Sequence, residues 1–184
     1  MAGRGGAEVV YTFPVGLGRF DWKTPVGNWR VRGKTKEPTW VVPEDIYEEH
    51  LERDGEAEHV VSGGDPDNPL GHYRIELTLP EYALHGTNVP WGVGMTVSHG
   101  CIRLAEPKRL AEFLLRNEPA WNEASITRAM NSGKEKYVPL KQTIPVFIGY
   151  FTAWVDRDGK LNFRDDIYGH DKEMAEHLFS TAKK

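Results

Sequence analysis

A mainly β protein is predicted by three features of the sequence. Nineteen glycines and six tryptophans accompany short Val/Ile/Tyr/Phe runs set between Gly, Pro and Asn, the composition of turn-punctuated strands rather than of a helical bundle. Residues 72–79 (HYRIELTL) place Tyr73, Ile75, Leu77 and Leu79 on one face at period two, as a strand with one buried side does. Residues 27–33 (GNWRVRG) alternate Trp29 and Val31 with polar neighbours in the same way. With 184 residues and 39% hydrophobic content, the chain can bury one substantial core, and its length favours a single domain.

Along the chain, residues 8–16 (EVVYTFPVG) read as a strand closed by a Pro/Gly turn, and together with 27–33 they suggest a first hairpin. Residues 34–71 are charged and broken by Pro38, Pro43, Pro66 and Pro69. Their acidic part, 44–58, has room for a helical turn or two around Ile46, Tyr47 and Leu51, and the whole reads as a long surface excursion. Pro107 is placed to open a helix, where its missing N–H goes unneeded, and Leu110, Phe113 and Leu114 then share a face that packs beneath the segment around Cys101. Residues 117–141 form a mixed insertion, helical around 124–130. Residues 143–155 (TIPVFIGYFTAWV) are a nearly continuous apolar run, expected as a strand buried on both faces, with Pro145 putting part of it at an edge or bulge. An Asp-Gly turn and a short polar helix over 172–182 end the chain. The organisation expected is a catalytic unit over 1–155 followed by a C-terminal turn and short helix over 156–184.

Composition excludes several function classes. A net charge of -4 and a pI near 6.0, with no block of basic residues, give no pull toward nucleic acid or anionic lipid. No apolar run approaches the roughly 18 residues that cross a bilayer, and the opening MAGRGG has no apolar signal-peptide core. The single cysteine excludes an intramolecular disulfide and any Cys-pair zinc module.

Two segments concentrate the chemistry, residues 84–87 (LHGT) and 98–104 (SHGCIRL). A cysteine nucleophile needs a base that takes its proton and later protonates a leaving amine, and histidine suits this because it titrates near neutrality. His85 is the base expected for Cys101, with the Gly86 carbonyl holding its other ring nitrogen. Gly100 clears space beside the sulfur, so that the Gly100 and Cys101 amides can face a developing oxyanion, with His99 as a third donor or a residue that shapes the pocket. Arg103, two residues on, points to the same side and can hold a substrate carboxylate or brace the loop.

The plainer readings carry weight: a lone cysteine is most often a small buried hydrophobe and a lone histidine most often structural. Their conjunction decides, because Ser-His-Gly-Cys arises by chance in a chain this long on the order of once in a thousand or less. Zinc held by His85, His99 and Cys101 is a competing reading that lacks an evident fourth ligand and the usual spacing. His50, His59, His72, His170 and His177 have no motif around them and read as surface or strand residues.

These residues resemble the L,D-transpeptidase catalytic domain (YkuD domain, ErfK/YbiS-like), whose signature is a His-Gly-Thr segment followed about a dozen residues later by Ser/Thr-His-Gly-Cys, a hydrophobic residue and Arg or Asn. Here the matching residues are 85–87 and 98–103, and 13–18 (FPVGLG), 23–27 (KTPVG) and 66–71 (PDNPLG) are similar to further family segments, a resemblance covering about 9–148. It implies a β-sandwich-like domain with a short helix after the catalytic loop and a capping insertion. It also implies Cys101 as nucleophile, with Arg103, Ser98 and Thr87 toward substrate, and no metal or other cofactor. The implied substrates are peptidoglycan stem peptides: the carbonyl of the stem's diamino acid is attacked, the terminal D-Ala leaves, and the acyl group passes to an amine on another stem or on a cell-wall-anchored lipoprotein. Water as acceptor would make the chain an L,D-carboxypeptidase, and loss of chemistry would leave a peptidoglycan-binding module. Members are usually exported, which implies a periplasmic or cell-wall location. The family domain usually opens with one more strand, which implies a chain shortened at its N-terminus or cut from a longer protein, and residues 121–142 are longer than the family pattern.

Overall fold

The computed structural model describes residues 11–180 apart from 117, 119, 120 and 131. In chain order the elements are β1 Val15–Gly18, β2 Gly27–Lys36, β3 Trp40–Val41, α1 Glu44–Asp54, β4 Val60–Val61, β5 Tyr73–Leu77, β6 Ala83–His85, a single 3-10 turn Pro90–Gly92, β7 Thr96–Ser98, β8 Ile102–Leu104, α2 Pro107–Leu115, α3 Glu123–Met130, β9 Lys136–Ile148, β10 Ala153–Val155, β11 Leu161–Phe163 and α4 His170–Ser180. The fold is mainly β with short helices, as its composition predicts.

Seven strands form one mixed sheet in the order β7-β1-β8-β6-β5-β2-β9. Its most regular strand is β5, where Tyr73, Ile75 and Leu77 are buried between half-buried Arg74 and Glu76. The inward residues meet Leu104 of β8, Val138 and Leu140 of β9, and the apolar face of α2, to which Leu114 and Leu115 belong. Pro107 stands in the first turn of α2, where a residue without N–H is tolerated. Three expectations are corrected. The hairpin of 8–16 with 27–33 does not form: residues 8–10 lie outside the described residues, β1 lies between β7 and β8, and β2 lies between β5 and β9. Glycine permits this placement of β1, since a Cβ on Gly18 would stand 2.0 Å from the Trp22 carbonyl oxygen and 2.9 Å from Gly100 Cα. The run 143–155 is not one strand buried on both faces. Its first half belongs to β9, the edge strand, which leaves Phe147 65% exposed; its last three residues form β10, paired with β11. The Pro145 in β9 is tolerated because an edge strand has one unpaired side. Last, the excursion over 34–71 is not mere surface: Trp40, Ile46, His50 and Arg53 form a wall of the cleft at Cys101.

The C-terminal residues also reach the site region. The division expected after residue 155 falls inside the β10–β11 hairpin. Beyond it, Tyr168 is buried, its hydroxyl donating to the Gly18 carbonyl at 2.8 Å and accepting from the Thr24 amide at 3.3 Å. Lys23 Nζ donates to the Tyr168 carbonyl at 3.1 Å. The turn between β1 and β2 is thereby held by a residue some 145 positions away.

Leu115 is fully buried under the sheet, so Leu115→Ala should lower unfolding stability by about 2–5 kcal/mol. Urea denaturation checks this, and a loss well under 1 kcal/mol would show that α2 is not a wall of the core.

Candidate active site

Two short strands fix the site. β6 and β8 run parallel, with Leu84 opposite Ile102 and His85 opposite Arg103. Side chains in register on neighbouring strands share a face, and residues two apart along a strand do so as well. His85, Arg103 and Cys101 therefore emerge on one face, while Leu84 and Leu104 turn to the core. All three line one cleft, together with Ser98, His99, Arg19 and the wall from the 34–71 segment. On β5, Arg74 lies opposite His85 and adds a second guanidinium to this face.

His85 is buried, with 3% of its surface exposed. Its Nδ1 lies 2.6 Å from the Gly86 carbonyl; a carbonyl only accepts, so Nδ1 carries the proton and Nε2 is left as the basic nitrogen. Burial, with a smaller push from Arg103 and Arg74, takes the imidazole down to about 4 against the opposing Gly86 bond. The Cys101 thiol is pushed up by burial, against the Ala83 amide, Arg74 and Arg103, which favour thiolate. Its Sγ points to the Glu81 carbonyl at 3.7 Å. At neutral pH both groups are therefore uncharged, a thiol in the same cleft as a neutral imidazole.

The residues matched by the family model for the L,D-transpeptidase catalytic domain are 3–148, most of the chain. The chain belongs to the L,D-transpeptidase catalytic domain family. It is 39% identical over 101 residues to the probable L,D-transpeptidase YbiS of Escherichia coli K12, a match covering 54% of this chain and 32% of the relative. It is 36% identical over 122 residues to the probable L,D-transpeptidase ErfK/SrfK of the same organism, covering 65% and 38%. A solved L,D-transpeptidase from Mycobacterium smegmatis overlaps 78% of this chain and 51% of its own, at 20% identity and a TM-score of 0.41. The matched region is about a third of the length of the two curated relatives.

Within this L,D-transpeptidase domain, the other motif residues are placed as follows. Gly100 has φ +99, and a Cβ there would strike the Tyr82 ring at 2.5 Å, so only glycine fits. Its amide, expected to face an oxyanion, instead donates to Ser98 Oγ at 3.2 Å. Ser98, expected toward substrate, is buried and donates its hydroxyl to the Cys101 carbonyl at 2.6 Å; a buried hydroxyl needs partners, and the loop supplies them. Thr87, also expected toward substrate, is taken up by its own turn, accepting from the Val89 amide at 3.0 Å. Arg103 lines the cleft, and its Nε is buried with no hydrogen-bond partner among the described residues. Among those residues no three His, Cys, Asp or Glu side chains gather as a metal-binding group.

His99 holds a partner that sequence reasoning missed. Its Nε2 meets Glu49 Oε2 at 2.9 Å, and Arg19 grips both carboxylate oxygens of Glu49 at 2.9 Å. The Arg19 fork and then His99 hold the Glu49 carboxyl down at about 2. Trp22 packs edge-on against His99 at 5.0 Å. An imidazole expected to donate to an oxyanion or to shape the pocket thus fastens α1 to the residue two before Cys101. No sequence signal marks Glu49, one of several acids on a polar helix.

Two outcomes follow from these geometries. Glu49→Gln takes the carboxylate charge from three hydrogen bonds, two to Arg19 and one to His99, so amide exchange within α1 should speed up about tenfold while β5 amides are unchanged. Equal exchange in both proteins would show that the contact does not hold the helix. Separately, the buried His85 takes up its proton only near 4, against 6.5 when free. The unfolded chain therefore binds more protons between those values, and stability is present above pH 6.5 and lost as pH falls, by up to about tenfold in the folding constant per pH unit. His85→Gln should flatten that decline in pH-dependent denaturation; an unaltered slope would remove His85 as its source.

Proposed function

We propose that this chain is a peptidoglycan L,D-transpeptidase that works as a cysteine acyltransferase, with Cys101 as nucleophile and His85 as general base. The observation that carries the reading is the placement of Cys101, His85 and Arg103 on one face of the sheet in a single cleft, with His85 Nδ1 committed to Gly86 and Nε2 left basic.

In the proposed reaction a tetrapeptide stem lies along the cleft with a carboxylate against Arg103, whose buried Nε has no hydrogen-bond partner among the described residues. His85 Nε2 takes the thiol proton as Cys101 Sγ attacks the carbonyl carbon of the diamino acid. Arg103 and Arg74 favour the thiolate as it forms. With the Gly100 amide tied to Ser98, the oxyanion falls to the Cys101 amide. The C–N bond to D-Ala breaks, its nitrogen takes the proton from His85, and a thioester remains. An amine on another stem or on a cell-wall lipoprotein then attacks the thioester and restores the thiol; water in its place would give the carboxypeptidase. A periplasmic or cell-wall location fits this substrate. No described helix is long and apolar enough to cross a membrane. On this reading the catalytic unit is residues 1–155, and 156–184 supports it through Tyr168.

The test is incubation with a carbapenem, a β-lactam able to acylate such a thiol, followed by intact mass and peptide mapping. One adduct on Cys101 is expected, absent in Cys101→Ala, which should still fold within about 1 kcal/mol of the parent. His85→Ala should slow acylation by at least about 10²-fold, and His99→Ala by less, since His99 acts through α1. An unmodified Cys101, or His99 dominating the rate, overturns this assignment, and product analysis with a tetrapeptide muropeptide separates amine from water as acceptor.

A further inference from the structure

In the link that leads from β5 into β6, one residue beside the thiol holds a backbone conformation that its own side chain disfavours. Among the described residues, Glu37 and Glu81 are the non-glycine positions with positive φ, 45 and 66. Such a left-handed backbone crowds Cβ against the following carbonyl, and it is adopted chiefly by glycine and asparagine. Glu37 is held there by its surroundings: it is buried, its amide donates to the His72 carbonyl at 3.0 Å, and its carboxylate binds Lys36 and His72. The Glu81 side chain is exposed and makes no hydrogen bond or ion pair with the described residues. Nothing it touches offsets the cost of its conformation.

What fixes this link is the nucleophile. The Glu81 carbonyl accepts from Cys101 Sγ at 3.7 Å. The ring of the next residue, Tyr82, packs so closely on Gly100 that a Cβ there would lie 2.5 Å from it. Ala83 then opens β6. Just past β6 the Gly86 amide donates to the Tyr73 carbonyl of β5 at 2.8 Å; backbone groups alternate sides along a strand, so those of Ala83 turn the other way, toward the start of β8. There the Ala83 amide favours the Cys101 thiolate. Three successive residues thus meet Cys101 or the glycine before it. Pairing holds β5 and β6 on either side of the link, so any other φ at Glu81 has to be taken up within it, where the carbonyl and the ring face the nucleophile. A strained residue that persists is one its surroundings over-determine, and such residues cluster at working sites.

We propose that Glu81 is a positioning residue for the nucleophile: its left-handed backbone sets the Glu81 carbonyl against Cys101 Sγ and so fixes the side-chain rotamer from which sulfur attacks. This role rests on the acyl-transfer reading, in which Cys101 is the nucleophile, and adds a residue outside both motif segments. A thiol is a weak donor, so the carbonyl acts by place more than by strength. It keeps sulfur in the cleft that Cys101 shares with His85, and an acyl carbon bound there meets it without a search over rotamers. The Glu81 carboxylate takes no part. The position needs only a residue that accepts a positive φ, which glycine and asparagine do and a β-branched residue does not.

Glu81→Gly, Glu81→Asn, Glu81→Ala and Glu81→Val separate backbone from side chain. Folding of each is checked by thermal unfolding. Acylation by a carbapenem then gives a saturating rate and a half-saturating concentration, and alkylation by iodoacetamide reports the thiol toward a small reagent that needs no orientation from the cleft. Glu81→Gly and Glu81→Asn, which accept the conformation, should acylate within about threefold of the parent. Glu81→Val should lose about tenfold to 10²-fold in saturating rate, with its half-saturating concentration kept and its alkylation within about twofold of the parent. Glu81→Ala should fall between, and it decides against Glu81→Gly if Glu81→Val does not fold. A saturating rate in the deciding variant equal to the parent's, an equal loss in all four, which would point to the carboxylate, or alkylation falling in step with acylation would overturn the proposal. A parent that iodoacetamide labels at Cys101 but the carbapenem leaves unacylated fails the acyl-transfer reading, and this role with it; an acylated parent with an unimpaired Glu81→Val fails this role alone.

Discussion

β6 and β8 are three residues each, and the site depends on the register between them. Because they run parallel, the chain leaving β6 must cross back before β8 can begin, and residues 86–101 make that crossing. The crossing opens with the carbonyl that holds His85 and ends with the thiol. A slip of one residue in the pairing would send His85 and Arg103 to opposite faces. The apolar residues that prevent such a slip are on the other side: Leu84 beside Ile75, and Leu104 fully buried. The core therefore sets the position of His85, Arg103 and Cys101, although none of them belongs to it.

Burial works against charge on both His85 and Cys101. It disfavours the imidazolium and the thiolate alike, and the two arginines on the same face oppose one and favour the other. On the proposed reading, a substrate carboxylate beside Arg103 would weaken a field that opposes the imidazolium and favours the thiolate, so a gain at nitrogen is set against a loss at sulfur.

The parts legible in the sequence were local. β5 showed its period over five residues, and the Ser-His-Gly-Cys segment is rare enough to mark the cleft by itself. What stayed hidden was non-local. The neighbours of β1 and β2 are set by pairings far along the chain, so proximity in sequence suggested a hairpin that the sheet does not contain. Glu49 lies 50 positions from His99, on a helix whose other acids face water. Ser98 and Thr87 carry hydroxyls that a motif reading assigns outward, and only their surroundings reveal that the loop consumes them. Lys34 and Lys36 read as the start of the charged excursion, because nothing in Lys-Thr-Lys announces that β2 runs on to Lys36 and buries both lysines.

Tyr168 lies twenty residues past the end of the family match at 148, yet its hydroxyl secures Gly18 and Thr24 at either end of the turn that carries Arg19 and Trp22. Those two residues in turn hold Glu49 and His99. A protein trimmed to the matched region would keep every motif residue and lose the peg that keeps this turn in place. Shared ancestry and mechanical integrity draw different borders on this chain, and the part that relatives make recognisable is smaller than the part that has to be present for the cleft to keep its shape.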